Sequence, residues 1–438
     1  MRTSLIALAA VLALGLGASP GLARTQIEQG KGPAFRYTLV GRIGKPGTGP
    51  GTIATANGVA VDQVCGDVYI SDKGRGVVDR FDLNGKFLNL VGHEGRDRGG
   101  IGTPYGLFVT PTNVPPVNPE GPPPACDGIS TLVKHVWVAD ESDGRISIFS
   151  PDGTWNGGWC SSPASIQPDG CTVRRGSGST GGFPAGPTDV WVTDSAVFTP
   201  FGRLIREYDL IGNYVGDSVP LREPSSVAVW GGQVWAPEHQ IGKLALLSLD
   251  ASGGKMPLLQ EFGSGNYDGK TPGNFAGVLA VTTAPDGMVY VLDSTRVQVF
   301  SSSGQYLSTI TLPEHFGGAS DVAVRYDGTV YVTGADRPGA LVYSPGAVVS
   351  LRLRQLGTRK IVLSGSVRPA HMRATIELQQ VKSGFVTIAK LRLDKRSEFR
   401  YVWTAPRTHA GYAFRAFFRD PHPYHADRAS GLEQLVLR

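Results

Sequence analysis

The sequence predicts an all-β chain: a six-bladed β-propeller followed by a smaller β-sandwich. Three observations carry this. A three-beat phrase returns six times between residues 35 and 346: a small residue before Val-Ala-Val or a near equivalent, a strand with a central aromatic, and a strand closing on Phe or Tyr. Gly (59) and Pro (31) exceed a fifth of the 438 residues, which with scarce helical periodicity suits short strands and tight turns. Past Gly346 the phrase stops and the charge changes.

The chain opens with Arg2 and an apolar run over residues 5–17, then Gly21-Leu22-Ala23, small residues suited to cleavage. This pattern predicts a signal peptide over 1–23 and an exported protein at the cell-envelope exterior. The alternative is an N-terminal anchor. No later run is long enough for a membrane helix.

Laid over one another, the repeats centre the innermost strand on Val59, Leu107, Val190, Val227, Leu279 and Val322. The second strand carries Tyr69, Trp137, Phe198, Trp235, Tyr290 and Tyr331. The third ends at Phe81, Phe149, Tyr208, Leu247, Phe300 and Tyr343. Turns such as Asn84-Gly85 and Asp152-Gly153 bring in a fourth strand, because these residues accept positive φ cheaply. Such blades bury an apolar face only against each other, so the ring must close. The sixth copy lacks a fourth strand, and residues 35–40 form an unpartnered strand ahead of the first. The prediction is that this segment docks beside Tyr343 and removes an open edge. Two insertions, 110–134 (Pro-rich) and 159–186 (Gly/Ser-rich), interrupt the repeat.

Residues 24–346 are the predicted propeller and 347–438 the predicted sandwich. The latter holds 17 Lys/Arg against 6 Asp/Glu, a net of +11. With the whole chain at +5 and Arg2 set aside, the propeller carries about −7. Short alternating runs in the tail fit an immunoglobulin-like sandwich without its disulfide. Its charge suits either an anionic envelope polymer or simple solvation.

Four cysteines, Cys65, Cys126, Cys160 and Cys171, fit an oxidising compartment. The favoured pairing is Cys160–Cys171 and Cys65–Cys126; no C-x-x-C spacing supports a zinc site. Asp72, Asp140 and Asp293 close the second strand in three blades, with Pro237 and Gly334 at that place in blades four and six. They form either a ligand-binding ring at the channel mouth or repeated Asx turns. Arg145, Lys243 and Arg296 start third strands on the same face. They form either an anion-binding rim or salt pairs between neighbouring blades. The starts of the innermost strands, Asn57, Tyr105, Thr188, Ser225, Gly277 and Ser320, include no carboxylate. His422 and His425 fall close together in a Pro-rich loop. No G-x-S-x-G elbow is present.

The phrases Ser320-Asp321-Val322-Ala323-Val324 … Gly328-Thr329-Val330-Tyr331-Val332 and Met288-Val289-Tyr290-Val291-Leu292-Asp293 … Arg296-Val297-Gln298-Val299-Phe300 resemble NHL repeats over residues 35–346. The tail is similar to bacterial immunoglobulin-like modules. The resemblance implies a recognition platform. It also implies an alternative, since propellers with this blade include peptidyl-amidoglycolate lyase, streptogramin lyase and gluconolactonase-type enzymes. The expectation is a non-catalytic binding or scaffold protein, a monomer, recognising a protein or cell-envelope glycan through propeller loops. No catalytic residue and no cofactor are expected, a divalent cation in the channel being the alternative. Export and the negative propeller argue against nucleic acid.

Overall fold

The structure is a computed structural model. It describes residues 37–437 apart from 64–65, 111–133, 161–185, 250–254, 315, 337, 346–347, 369–372, 383, 408–409, 420–427 and 430–431. The expected signal peptide, most of both insertions and the His422/His425 pair lie outside the described residues, as do the side chains of all four cysteines.

The chain is a β-propeller. Its first sheet runs Ala56–Val61, Val68–Asp72, Val77–Phe81, Phe87–Val91, each strand antiparallel to the next. The second is Pro104–Thr110, His135–Asp140, Arg145–Phe149, Trp155–Cys160. The third begins with only Trp191–Val192 and continues through Ala196–Phe201, Leu204–Asp209 and Tyr214–Ser218. The fourth begins with Ala228–Trp230, followed by Gln233–Glu238 and Lys243–Ser248. The fifth is Val278–Thr283, Val289–Asp293, Arg296–Phe300, Tyr306–Thr311. The last has Ala319–Val324, Val330–Gly334 and Ala340–Pro345. Gly85, Gly153, Gly212 and Gly304 all have φ between 77° and 94°, as their hairpin turns require.

The outer strand of the last sheet is Tyr37–Ile43, antiparallel to Ala340–Pro345, with Leu39 opposite Tyr343. The predicted closure is present, and the strand runs three residues beyond Val40 across a bulge between Leu39 and Gly41. Ile43 at its end is buried between the last and first sheets. The Tyr37 hydroxyl donates to the Tyr290 hydroxyl on the fifth sheet at 3.1 Å. Each sheet shares an apolar cluster with its neighbour on either side. Tyr69 and Leu107 join the first two, Trp159 and Val190 the next two, and Phe81 and Tyr331 the ends of the ring. The central aromatics of the repeat are therefore wedges between sheets.

Two features differ from the sequence expectation. The fourth sheet does have an outer strand, Leu258–Phe262. The chain reaches it through Lys255–Met256, which pairs parallel with Tyr214–Ser218 on the third sheet. This detour through the third sheet separates the strand from Lys243–Ser248 and hides the repeat. In the fifth sheet the pairing Thr282↔Tyr290 matches Ala60↔Tyr69 and Ala323↔Tyr331. Val281, not Leu279, is therefore the central residue of that innermost strand, and Leu279, not Gly277, is its start.

Residues 348–437 form two sheets over one core. One pairs Lys360–Arg368 with Val348–Val349, Arg352–Leu356 and Glu398–Thr404. The other holds Phe385–Arg392, Thr375–Val381, Gly411–Phe418 and Glu433–Val436. Ile361, Leu363 and Phe399 of the first face Ile376, Leu378 and Phe414 of the second. This is a β-sandwich.

Candidate functional site: the central channel

The acids expected at the channel mouth are fully buried and consumed by the backbone. Asp72 accepts from Ala54 N at 2.6 Å, Thr55 N at 2.9 Å and Gly74 N at 3.0 Å. Asp140 accepts from Gly102 N at 3.0 Å and Thr103 N at 2.9 Å. Asp293 accepts from Thr295 N at 2.9 Å and Arg296 N at 3.0 Å. Each pins a loop of its own sheet, as an Asx-type turn does.

The expected basic rim is likewise internal. Arg145 Nε donates to Asp140 at 3.1 Å, and Arg296 Nε donates to Asp293 at 3.2 Å. Arg296 also donates to the carbonyls of Lys270, Thr271 and Asn274. Lys243 pairs with Glu261 of the same sheet at 2.5 Å. These pairs lie within sheets, not between them, and none of the six residues lines the channel cavity. The expected ligand set Asp72, Asp140, Arg145, Lys243, Asp293 and Arg296 is thus corrected to a set of blade braces. In the fourth sheet the register Glu238↔Lys243 matches Asp140↔Arg145, so Glu238, not Pro237, holds the acid position.

The starts of the innermost strands also act structurally. Ser320 Oγ donates to Asn57 O at 2.9 Å, Thr188 Oγ1 to Ser225 O at 3.0 Å, and Ser225 Oγ to Leu279 O at 2.6 Å. Ser71 Oγ donates to Tyr105 O at 2.7 Å. These bonds stitch adjoining sheets near the axis.

One residue further along the innermost strands, two of the six equivalent positions reach a cavity of about 480 Å³. The equivalent positions are Gly58, Gly106, Asp189, Ser226, Ala280 and Asp321. Asp189 and Asp321 line the cavity, three sheets apart around the ring, among valines such as Val59, Val227 and Val281. The starts of the innermost strands are one register short of them. The signal was in the text: Asp stands directly before the central Val in the third and last copies alone.

Each carboxylate bridges to the next sheet. Asp189 Oδ1 accepts from Val190 N at 2.8 Å, while Oδ2 accepts from Val227 N at 3.0 Å and Ser226 Oγ at 2.7 Å. Asp321 Oδ1 accepts from Val322 N at 2.8 Å and Oδ2 from Val59 N at 2.8 Å. Burial pushes the Asp189 carboxyl up to about 6, the Ser226 and backbone donors opposing it. Burial raises Asp321 well above the ordinary carboxylate value, and the charge of Asp189 raises it further. Both carboxyls thus stand above the ordinary carboxylate value, chiefly through desolvation.

Stability carries a signature of this couple. Between the unfolded value near 4 and the native value near 6, native Asp189 keeps a proton that the unfolded chain has lost. Its contribution is therefore a stability that falls as pH rises through this window, by ~3 kcal/mol. Urea unfolding at pH 4 to 7 should show wild type losing this amount relative to Asp189→Asn. Parallel curves for the two proteins would remove the raised carboxyl from the account.

Among the described residues, no histidine or cysteine lines the cavity. Ser226 is buried, its oxygen engaged by Asp189 and by Val281 N at 3.2 Å, so it is no exposed nucleophile. Among the described residues, no group of three or more His, Cys, Asp or Glu converges. All four oxygens of Asp189 and Asp321 already accept backbone N–H bonds.

No protein-family model matches the chain, and no curated protein matches it. Among solved structures it is similar to a gluconolactonase from Xanthomonas campestris, at 14% identity over 70% of this chain and 89% of that chain, with a TM-score of 0.45. It is similar to streptogramin B lyase at 13% identity, over 71% and 98% of the two chains, with a TM-score of 0.45. It is similar to the WD40 β-propeller domain of Doa1 at 14% identity, over 68% and 80%, with a TM-score of 0.42. At this distance the propeller rests on the chain's own sheets and the closed circuit of cores between them.

Proposed function

We propose that the chain is an exported, non-catalytic binding protein: a six-bladed NHL-type propeller over 24–346, with an immunoglobulin-like module over 347–438. Its channel takes an ammonium group presented by a protein or cell-envelope glycan partner. One observation carries this: two opposed carboxylates in a valine-lined cavity whose described lining has no histidine or cysteine. The walls suit the apolar stem of a lysine or the ring face of an amino sugar, and the couple supplies charge at the end.

A cation favours the ionised carboxyls and expels the proton they hold. Binding should therefore strengthen from pH 5 to 7.5 and release protons. Calorimetry with a glucosamine oligomer and a lysine-rich peptide, in buffers of different ionisation enthalpy, measures both. The expected result is binding of at least one probe, weakened about tenfold or more in Asp189→Asn/Asp321→Asn, a loss of ~1.4 kcal/mol per decade. The N-acetylated oligomer should not bind. Equal affinity for the acetylated sugar, or cleavage of either probe, would overturn the proposal, cleavage in favour of an enzyme.

A further inference from the structure

The sandwich carries a second feature, independent of the channel. A groove of about 680 Å³ is lined by Arg352, Ser364, Ser366 and Arg400 of the sheet formed by Arg352–Leu356, Lys360–Arg368 and Glu398–Thr404, and by Leu391 and Arg392 of the other sheet. Arg352 lies opposite Ser364, and Ser364 lies opposite Arg400 on its other side. The two exposed arginines thus flank a serine, roughly 10 Å apart by two strand spacings. Arg354, exposed two residues along, lies on the same face ~7 Å from Arg352. Among the described residues none of these three arginines forms an ion pair.

Like charges across neighbouring strands repel. The groove also holds two acids: Glu398 stands two residues from Arg400 on the same exposed face, opposite Ser366, and Asp394 lies in the turn before it. There Asp394 Oδ1 accepts from Arg396 N at 2.8 Å and Glu398 N at 2.9 Å, capping a turn. Between the arginines lies Ser364; two residues along, Ser366 lies opposite Glu398 and its hydroxyl shares a hydrogen bond with that of Ser350 at 3.0 Å. Phe399 beneath is buried and Leu391 is half-buried, so among the described lining residues no exposed ring is offered for stacking a base. Guanidinium forks suit oxyanions, and serine hydroxyls suit sugar hydroxyls.

We propose that this groove binds an anionic polysaccharide, with acidic groups meeting Arg352 and Arg400, Arg354 beside the groove adding to the field, and a sugar hydroxyl meeting Ser364. Charge complementarity selects the occupant: residues 347–438 hold 17 cations against 6 acids. The sandwich would then hold the protein on an acidic matrix while the channel stays open to its own ligand.

The test uses the full chain on immobilised dextran sulfate, alginate and uncharged dextran. Retention is expected on the two acidic polymers at 50 mM salt and not on dextran, falling steeply by 300 mM. Arg352→Glu/Arg400→Glu should weaken retention at least tenfold, and Arg352→Gln/Arg400→Gln by less, with unchanged thermal unfolding. Lys45→Glu/Lys86→Glu, with the same change in net charge on exposed propeller positions, should leave retention intact. Equal loss in this control, no retention on either acidic polymer, or capture by anionic-lipid vesicles alone would overturn the proposal.

Discussion

A chain beginning at Gly44, without the Tyr37–Ile43 strand, should unfold roughly 10 °C below the full protein and associate through its open edge. The strand supplies the whole outer ladder of the last sheet, from Tyr37↔Pro345 to Ile43↔Ala340. It buries Ile43 between two sheets and ties Tyr37 to Tyr290 on a third. Full burial of one such aliphatic side chain stabilises by ~1.5–3 kcal/mol, and the lost partners of Ala340–Pro345 add to the cost. Calorimetry and size-exclusion chromatography measure the outcome. An unchanged midpoint in a monomeric truncated chain would show that closure contributes little.

The second large effect is expected at Gly58. A Cβ there would stand 2.0 Å from Tyr105 O and 3.1 Å from Gly106 Cα, both backbone atoms of the neighbouring innermost strand. Backbone cannot swing aside like a side-chain tip, so the first two sheets must separate or the strand must twist. Overpacking typically costs ~1–3 kcal/mol, and this geometry places Gly58→Ala at or above the upper end. Gly41→Ala is the control: nothing lies within 4 Å of its Cβ position. Urea unfolding should separate the two variants by at least ~2 kcal/mol. Equal stability would mean that the axis is looser than the strand spacing implies.

Much of the architecture was legible because repetition sets the fold. Tyr69, Trp137, Phe198, Trp235, Tyr290 and Tyr331 all occupy second strands, and the segment ahead of the first copy does close the ring. Legibility failed where the repeat was masked. The strand Leu258–Phe262 follows a detour through the third sheet, and the innermost strands of the third and fourth sheets are two and three residues long. Arg352–Leu356 is hard to read as a strand because arginines hold its alternate exposed positions at 352 and 354.

The candidate site was harder to see. Asp72, Asp140 and Asp293 stand out because they recur, yet they recur because every blade needs the same brace. Asp189 and Asp321 occur only twice, and their meaning depends on register: a shift of one residue turns a side chain from one face of a strand to the other. No composition or spacing shows that both point into one cavity.

The two axial carboxylates also divide the wheel mechanically. From the first to the third sheet, the innermost strands approach so closely that glycine is needed at 58 and 106. At the junctions after the third sheet and after the last, an ionisable side chain stands between the strands instead. The molecule is thus two arcs joined at opposite ends of one diameter by titratable spacers. When the wheel breathes it should part along that diameter, so the amides of Val59 and Val227 should exchange hydrogen sooner than that of Gly106, which donates to Thr188 O at 3.1 Å.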